Sequence, residues 1–493
     1  DVLRNHLDLD APLSKGDLAT AMLERWMRSS LSVAAVTPQN WQENPGYTAF
    51  RKVILREHRY ELFARVGNNV WQTQSSRQPY KVPTVLSILS SNKGLNNHVI
   101  SALDIGNGSV RDKPRLLTTT SLIRVMQREQ LQNPDCRIVT AKLGSNQLLE
   151  SVASAKQGIK TGDDPRYRRY HWEVALPRDG WVYLQSSLVG TRPYGGRSSI
   201  LHWEGGAGPL VSSQGARIQG QEAWSRQGVL VSQMGDLFAT LYTGERFDSN
   251  GAAVIPARPS DLPALWAYLS SPLYRQAVRA IDNNVKVTNR TLVKVPVDLD
   301  HWRTVADEAG PLPEPWSDDP TQWLFEGRPE MSTSPLQVAV ARLVGYRWPE
   351  QPDSDDLDRF ADADGIVCLP SVAGEAPAAD RLQQVLTAAF DSAWSHARIR
   401  ELLDSATSKK QTLGDWLRDE FFRQHCALFE DRPFVWHIWD GQRDGFAALV
   451  NYHRLDRKML EKLTYTYLGD WIERQRAEVR DEVAGAEARL AAA

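Results

Sequence analysis

Three cysteines, Cys136, Cys368 and Cys426, are scattered through 493 residues with no Cys-x-x-Cys and no Cys/His ligand spacing. That scarcity argues against a disulfide framework and against a structural zinc site. Long apolar runs are lacking as well: no stretch reaches the about 18 residues of a membrane span, and the first residues (Asp1, Arg4, Asp8, Asp10) hold no apolar signal core. A cytoplasmic location with no membrane partner is the expectation. There is no internal repeat and no long low-complexity segment. Net charge is nearly absent too, at −2, but the balance is uneven. Residues 1–300 hold 36 Lys+Arg against 26 Asp+Glu and residues 301–493 hold 22 against 34, a front of +10 and a back of −12. Such an asymmetry points to a polyanion met by the front part alone; an acidic, solvated back is the plainer alternative.

What is present, 42% apolar and 24% charged residues, suits a globular chain with more than one core. Residues 17–28 space Leu18, Met22 and Trp26 helically behind the acidic Asp17. A short apolar run from Leu31 to Val36, a helix over Tyr47–His58, and β-branched runs at Tyr60–Val66 and Val82–Leu89 follow. This alternation predicts an α/β layer with a mostly parallel sheet, to which residues 1–95 give about three strands. From Gly158 short strands (Trp181–Leu188, Gly228–Gln233, Ala252–Ile255) alternate with Gly-rich turns, the texture of a β-rich module, and one or two helices span 261–281. Beyond Asp298 the chain reads as acidic and helical, closing on a long charged helix over Leu455–Leu490, with Trp436, Trp439, Phe446 and Tyr452 as its core. His425, Cys426 and His437 are too few for a metal site.

The most informative segment is Lys156 to Glu173, in which Gly158 and Gly162 permit tight turns and five basic residues interleave with three aromatics. A loop of this make-up can hold phosphates by charge and backbone N–H groups while rings pack on sugars or bases.

In order, Gly158-Ile159-Lys160-Thr161-Gly162-Asp163-Asp164-Pro165-Arg166-Tyr167-Arg168-Arg169-Tyr170-His171-Trp172-Glu173 resembles the element that opens the target-recognition region of large adenine-N6 DNA methyltransferases, the type IIG restriction–modification enzymes and the BREX and DISARM phage-defence methylases. Other pieces agree collinearly. Val36-Thr37-Pro38-Gln39-Asn40-Trp41 resembles the end of the sheet strand after the catalytic motif, and Arg65-Val66-Gly67 and Val82–Leu89 the next two strands. Arg192-Pro193-Tyr194-Gly195-Gly196-Arg197, Gln227-Gly228-Val229, Phe247-Asp248-Ser249-Asn250 and Thr288-Asn289-Arg290-Thr291-Leu292 resemble the recognition domain and its exit, and Arg432–Gly441 and Asp444-Gly445-Phe446 the tail.

The resemblance implies S-adenosylmethionine as cofactor, double-stranded DNA as partner and no metal. It implies three parts: 1–155, the remainder of a Rossmann-like methyltransferase sheet; 156–300, a mixed α+β target-recognition domain; and 301–493, an all-α acidic domain that can dock other defence proteins. The family's Gly-containing cofactor turn and its Asn/Asp-Pro-Pro-Tyr loop are missing, since no Pro-Pro dipeptide occurs. The chain is therefore expected to begin downstream of the catalytic loop and to be inactive alone. A non-catalytic specificity subunit and an interaction scaffold are the alternative readings. A base flipped out of the duplex needs an aromatic face, for which Trp71, with Tyr80 as substitute, is the candidate against a plain core role. Lys160, Arg166, Arg168 and Arg169 read as phosphate contacts. Arg192, Arg197, Gln214, Arg217 and Gln221 read as base-edge contacts, and Lys286, Arg290 and Lys294 extend the basic face.

Overall fold

Asp17 caps helix α1 (Leu18–Ser29): its carboxylate accepts from the Ala19 N–H at 2.7 Å. In the computed structural model the described residues are Leu7, 11–14, 16–68, 70, 82–91, 97–106, 108–140, 147–176, 178–186, 188–282, 284–481 and 485–493. They fall into two compact units, one of Asp1–Lys156, Val231–Phe238 and Val254–Gly310, the other of Gln157–Leu230, Ala239–Ala253 and Pro311–Ala493.

The first unit carries β1 (Ser32–Pro38), α2 (Thr48–Glu57), β2 (Arg59–Gly67), β3 (Thr84–Ser90), β4 (Val99–Asp104) and β5 (Ile123–Met126). The strand order is β1-β3-β2-β4-β5. The sheet is mixed, which corrects the mostly parallel expectation: β3 runs antiparallel to both β1 and β2, β5 antiparallel to β4, and only β2 and β4 pair in parallel. No helix separates β2 from β3 among the described residues, so nothing enforces the crossover that a parallel pair requires. Alternation of helix and strand in sequence fixes composition, not strand direction. The core under this sheet gathers Trp41, Phe50, Ile54, Tyr60 and Phe63, with Trp41 stacked on Tyr60 at 6.1 Å and its indole N–H donating to Thr37 Oγ1 at 2.9 Å. Within 36–41, Thr37, Gln39 and Trp41 are buried, and Thr37 and Trp41 are tied by a bond within the segment, while Val36 is exposed.

Later in this unit α3 (Leu262–Leu269) and α4 (Pro272–Ile281) form the expected pair, Ser271 capping the second by accepting from Tyr274 N–H at 3.2 Å. Arg137, fully buried, ties the end of α4 to the 135–137 turn. It donates to Ile281 O at 3.3 Å and Thr291 Oγ1 at 2.7 Å, and stands 3.9 Å from both Asp135 and Asp282. Arg51 is buried beside it and donates to Trp41 O, Asn44 O and Asp135 O. Burial, then the charge of Arg137, pushes the Arg51 guanidinium down to about 10, still protonated at neutral pH.

The second unit holds β6 (Arg168–Tyr170), β7 (Trp181–Gln185), β8 (Ser199–His202) and β9 (Arg246–Phe247), ordered β9-β7-β8-β6. Its main core surrounds α5 (Pro335–Leu343), whose residues from Leu336 to Leu343 are all buried, with α6 (Ala378–Phe390) and α7 (Phe421–Leu428) packed against it. The all-α reading of 301–493 is corrected by a three-stranded antiparallel sheet of β10 (Ile366–Cys368), β12 (Ala447–Asn451) and β11 (Val435–Trp439). Trp436, Trp439 and Tyr452 are exposed, so of the aromatic cluster read as a core only Phe446 is buried. Side chains alternate across a strand, so Trp436 and Trp439, three residues apart on β11, lie on opposite faces and cannot share one core. The long terminal helix is also interrupted: Arg457–Lys462 passes through a π-turn at Leu463–Leu468 into Gly469–Arg480, and Ala486–Ala492 restarts after Gly485 at φ +80°.

Among the described residues no helix is long and apolar enough to cross a membrane, and no group of three or more His, Cys, Asp or Glu side chains could hold a metal. Removing Arg137 leaves the Asp282 carboxylate buried without its cation. Arg137→Ala is therefore expected to cost about 3–5 kcal/mol in urea unfolding of the full chain; a loss below about 1 kcal/mol would show that these groups are solvated.

Candidate nucleic-acid interface

The segment 158–173 is first of all a structural knot. Gly158 runs so close to the neighbouring backbone that a Cβ there would stand 2.2 Å from Asp248 O. Gly162 has φ +75°, and a Cβ on it would lie 2.5 Å from the carbonyl carbon of Gly215. Between them Ile159 pairs with Asp248 and Lys160 with Arg217, the Lys160 N–H donating to Arg217 O at 3.0 Å and the Arg217 N–H returning to Lys160 O at 2.7 Å. Thr161 Oγ1 donates to Asp164, and Asp163 caps the one-turn helix Asp164–Tyr167 by accepting from Arg166 N–H at 3.3 Å. Tyr167 closes the turn into the core.

Arg168, expected on phosphate, is instead a latch. Its guanidinium donates to Ser199 Oγ at 3.0 Å, Asp248 Oδ2 at 3.2 Å and Ser186 Oγ at 2.5 Å, which ties β6 to β8 and to the 248 turn. Next along, Tyr170 stacks on Trp172 at 4.5 Å with 3° between the rings. His171 is fully buried, its Nε2 on Thr321 O at 3.1 Å, and Trp172 enters the main core while its indole N–H donates to Arg432 O at 3.1 Å. Glu173 accepts from the Tyr170 N–H at 2.8 Å. Most of the order that gives this segment its resemblance is spent on holding it in place.

The outward residues are few and close in the chain pairing. Lys160 and Arg217 are exposed and directly opposite each other in an antiparallel bridge, so their side chains share a face. Like charges so placed repel unless an anion joins them. Arg166 is exposed over the Tyr167 ring at 5.1 Å, and Gln214 and Gln221 are exposed on the loop that carries Arg217. Arg192 is exposed but turned to Asp319 at 3.7 Å. Arg197 is buried, donating to Leu241 O at 2.9 Å and Thr243 Oγ1 at 3.0 Å, so it cannot meet a base edge without unfolding the turn. Lys286, Arg290 and Lys294 belong to the other unit; Lys286 is exposed, Lys294 is buried on Asp135 at 2.5 Å, and Arg290 lies 3.7 Å from the same carboxylate. Trp71 and Tyr80 lie outside the described residues.

Sequence reasoning missed a cleft of about 430 Å³ lined by Arg168, Arg169, Tyr170, Ser199 and Arg432 together with Asp164, Pro165 and Glu173. Its signal was split between two motifs more than 250 residues apart, Arg169-Tyr170 and Arg432-Pro433.

No protein-family model matches the chain. Over 122 residues it is 27% identical to the adenine-specific methyltransferase PglX of Lacticaseibacillus casei (strain Zhang), a match covering 24% of this chain and 10% of that protein. The chain therefore spans about one tenth of the length of that relative. Among solved structures, the type IIL restriction–modification enzyme MmeI in complex with DNA aligns with TM-score 0.39 and 12% identity over 82% of this chain and 54% of that one. A nuclease-deletion mutant of the type ISP restriction–modification enzyme LlaGI aligns with TM-score 0.39 and 11% identity over 66% and 33% of the two chains.

Two outcomes are expected of the knot. Gly162→Ala, forced against Gly215 in a left-handed conformation, should lower stability by about 1–3 kcal/mol in urea unfolding, and an unchanged midpoint would contradict the close approach. Burial, then the charge of Arg178, lowers the His171 pKa to about 3 from 6.5. Above 6.5 the ring is neutral folded and unfolded; as pH falls from 6.5 towards 3 only the unfolded chain takes the proton, so stability falls across that window. His171→Asn should flatten the slope there by up to about 1.4 kcal/mol per pH unit, read from urea midpoints between neutral and mildly acidic pH.

Proposed function

We propose that this chain is a portion of a site-specific, adenine-N6 DNA methyltransferase of a restriction–modification or anti-phage defence system, and that its second unit grips double-stranded DNA through Lys160, Arg217 and Arg166. The observation that carries the reading is the exposed Lys160–Arg217 pair, two cations locked side by side by backbone bonds beside a glycine-tight loop. Fixed adjacent cations match successive backbone phosphates and position a duplex without reading it. The order of the 158–173 segment and the similarity over 122 residues to an adenine-specific methyltransferase support the same assignment. Base readout then falls to Gln214 and Gln221, exposed amides on the loop that Arg217 anchors, since a side-chain amide can pair with adenine in the major groove. Arg168 and Arg197 have no part in it, because their guanidinium groups are consumed within the fold.

The resemblance brings S-adenosylmethionine with it, but the Tyr170 cleft does not fit that group. It presents arginines, and its two carboxylates are already engaged, Asp164 with Thr161 and Glu173 with the Tyr170 N–H. A donor set of this kind suits an anion and not a sulfonium.

Lys160→Ala/Arg217→Ala should weaken binding of duplex DNA alike for all sequences and reduce the slope of log affinity against log salt by about 2 in a fluorescence-anisotropy titration. Unchanged affinity and slope would remove the phosphate assignment, and a loss confined to one sequence would move the pair to base readout.

A further inference from the structure

We infer that the cleft beside Tyr170 holds a single unpaired nucleotide of a DNA strand, its phosphate between Arg169 and Arg432 and its base against the Tyr170 ring. The inference rests on the DNA contact proposed for the same unit and adds to it a second site of different chemistry. The cleft measures about 430 Å³, within the roughly 300–1,000 Å³ in which a concave site encloses a small molecule. One face of Tyr170 is covered by Trp172 in a parallel stack at 4.5 Å, and Trp172 is itself immobile in the main core, so the ring meets the cleft as a rigid platform. Base stacking on such a platform is tolerant of sequence, because every base offers a π-face.

The charges of the cleft resolve in favour of an anion. Arg168 is satisfied by Asp248 and two hydroxyls. Glu173 caps Tyr170 and stands 3.6 Å from Arg432, and Asp164 accepts from Thr161. Arg169 is held by Nη1 alone, which donates to Pro165 O and to Arg168 O at 2.7 Å. Arg432 sends Nη1 to Asp431 O at 3.2 Å, and its side chain is 60% exposed. Arg169 is thereby oriented through Nη1 alone, with its Nε/Nη2 edge left for a phosphate oxygen, whereas Arg432 is met at Nη1 by Asp431 O and at Nε by Glu173 at 3.6 Å, so a phosphate oxygen would meet it at Nη2. An aromatic platform next to two oriented guanidinium groups is the pairing that a nucleotide supplies with both of its parts; inorganic phosphate would use one. The backbone carbonyl of Arg432 is bonded to Trp172, so the side chains of Arg169 and Arg432 can be changed without touching the structural bond.

The test is ultraviolet cross-linking of the full chain to a short single-stranded oligonucleotide carrying 5-bromodeoxyuridine, with the adduct located by peptide mass spectrometry. The expected result is an adduct on Tyr170 that falls about fivefold or more in Arg169→Ala/Arg432→Ala and is restored only in part by Arg169→Lys/Arg432→Lys, which keeps the charge and loses the fork. Adducts confined to other residues, or a Tyr170 adduct undiminished in the double alanine variant with a wild-type urea midpoint, would overturn the inference. Duplex affinity is measured in parallel: duplex binding through Lys160 and Arg217 without a Tyr170 adduct sinks the cleft and leaves the proposed function standing, whereas the reverse pattern sinks that function alone.

Discussion

The second unit depends on one indole. Trp172 donates to the Arg432 carbonyl, receives Tyr170 on one face, meets Phe429 edge-on at 5.2 Å and lies within the cluster built around α5. Burying a side chain of that size contributes on the order of 3–5 kcal/mol. It also fixes position, since a ring held by a hydrogen bond and by contacts on several sides has one orientation. Every residue from Lys160 to Glu173 inherits its direction from the glycines at one end of the segment and from this tryptophan at the other.

Arginines divide this protein into what holds and what reaches. Arg51, Arg137, Arg168 and Arg197 are engaged by carbonyls, hydroxyls or carboxylates, most of them in the interior, where they bridge segments far apart in sequence. Such buried cations specify a geometry and add little net stability, because desolvation offsets much of the attraction. The +10 of the first 300 residues therefore overstates the charge available to a polyanion. Only part of it, in side chains such as Lys160, Arg166 and Arg217, stands outward.

Local periodicity made α1, α2, β1, β2 and β3 legible to within a few residues, as did the helix break at Ser271, because each is decided by neighbours in the chain. Strand direction was not legible, since pairing β3 between β1 and β2 is a long-range choice that the pattern of either strand leaves open. The β11–β12 ladder was masked by tryptophans that read equally as a helical core. Within the 158–173 segment, the glycines and the aromatic–basic interleaving marked a tightly built loop, but charge in sequence does not tell a latch from an outward side chain. Arg168 finds Ser186, Ser199 and Asp248, eighteen to eighty residues on, and Arg166 finds only the neighbouring Tyr167 ring. The Arg169–Tyr170–Arg432 cleft was invisible for the same reason, being assembled from two motifs that meet only in the folded unit.

The chain passes between its two units five times, and the first is closed only by Val254–Gly310. On a ribosome the loop of 158–173 emerges long before its supports: α5 starts at Pro335, and the carbonyl that Trp172 bonds belongs to Arg432. Until those residues are made, Tyr170 and Trp172 lack the core that covers them in the folded unit, and transiently exposed apolar surface of this kind is prone to aggregation. Interleaving thus sets an order of assembly, in which the 158–173 segment is among the last parts of the protein to acquire its shape.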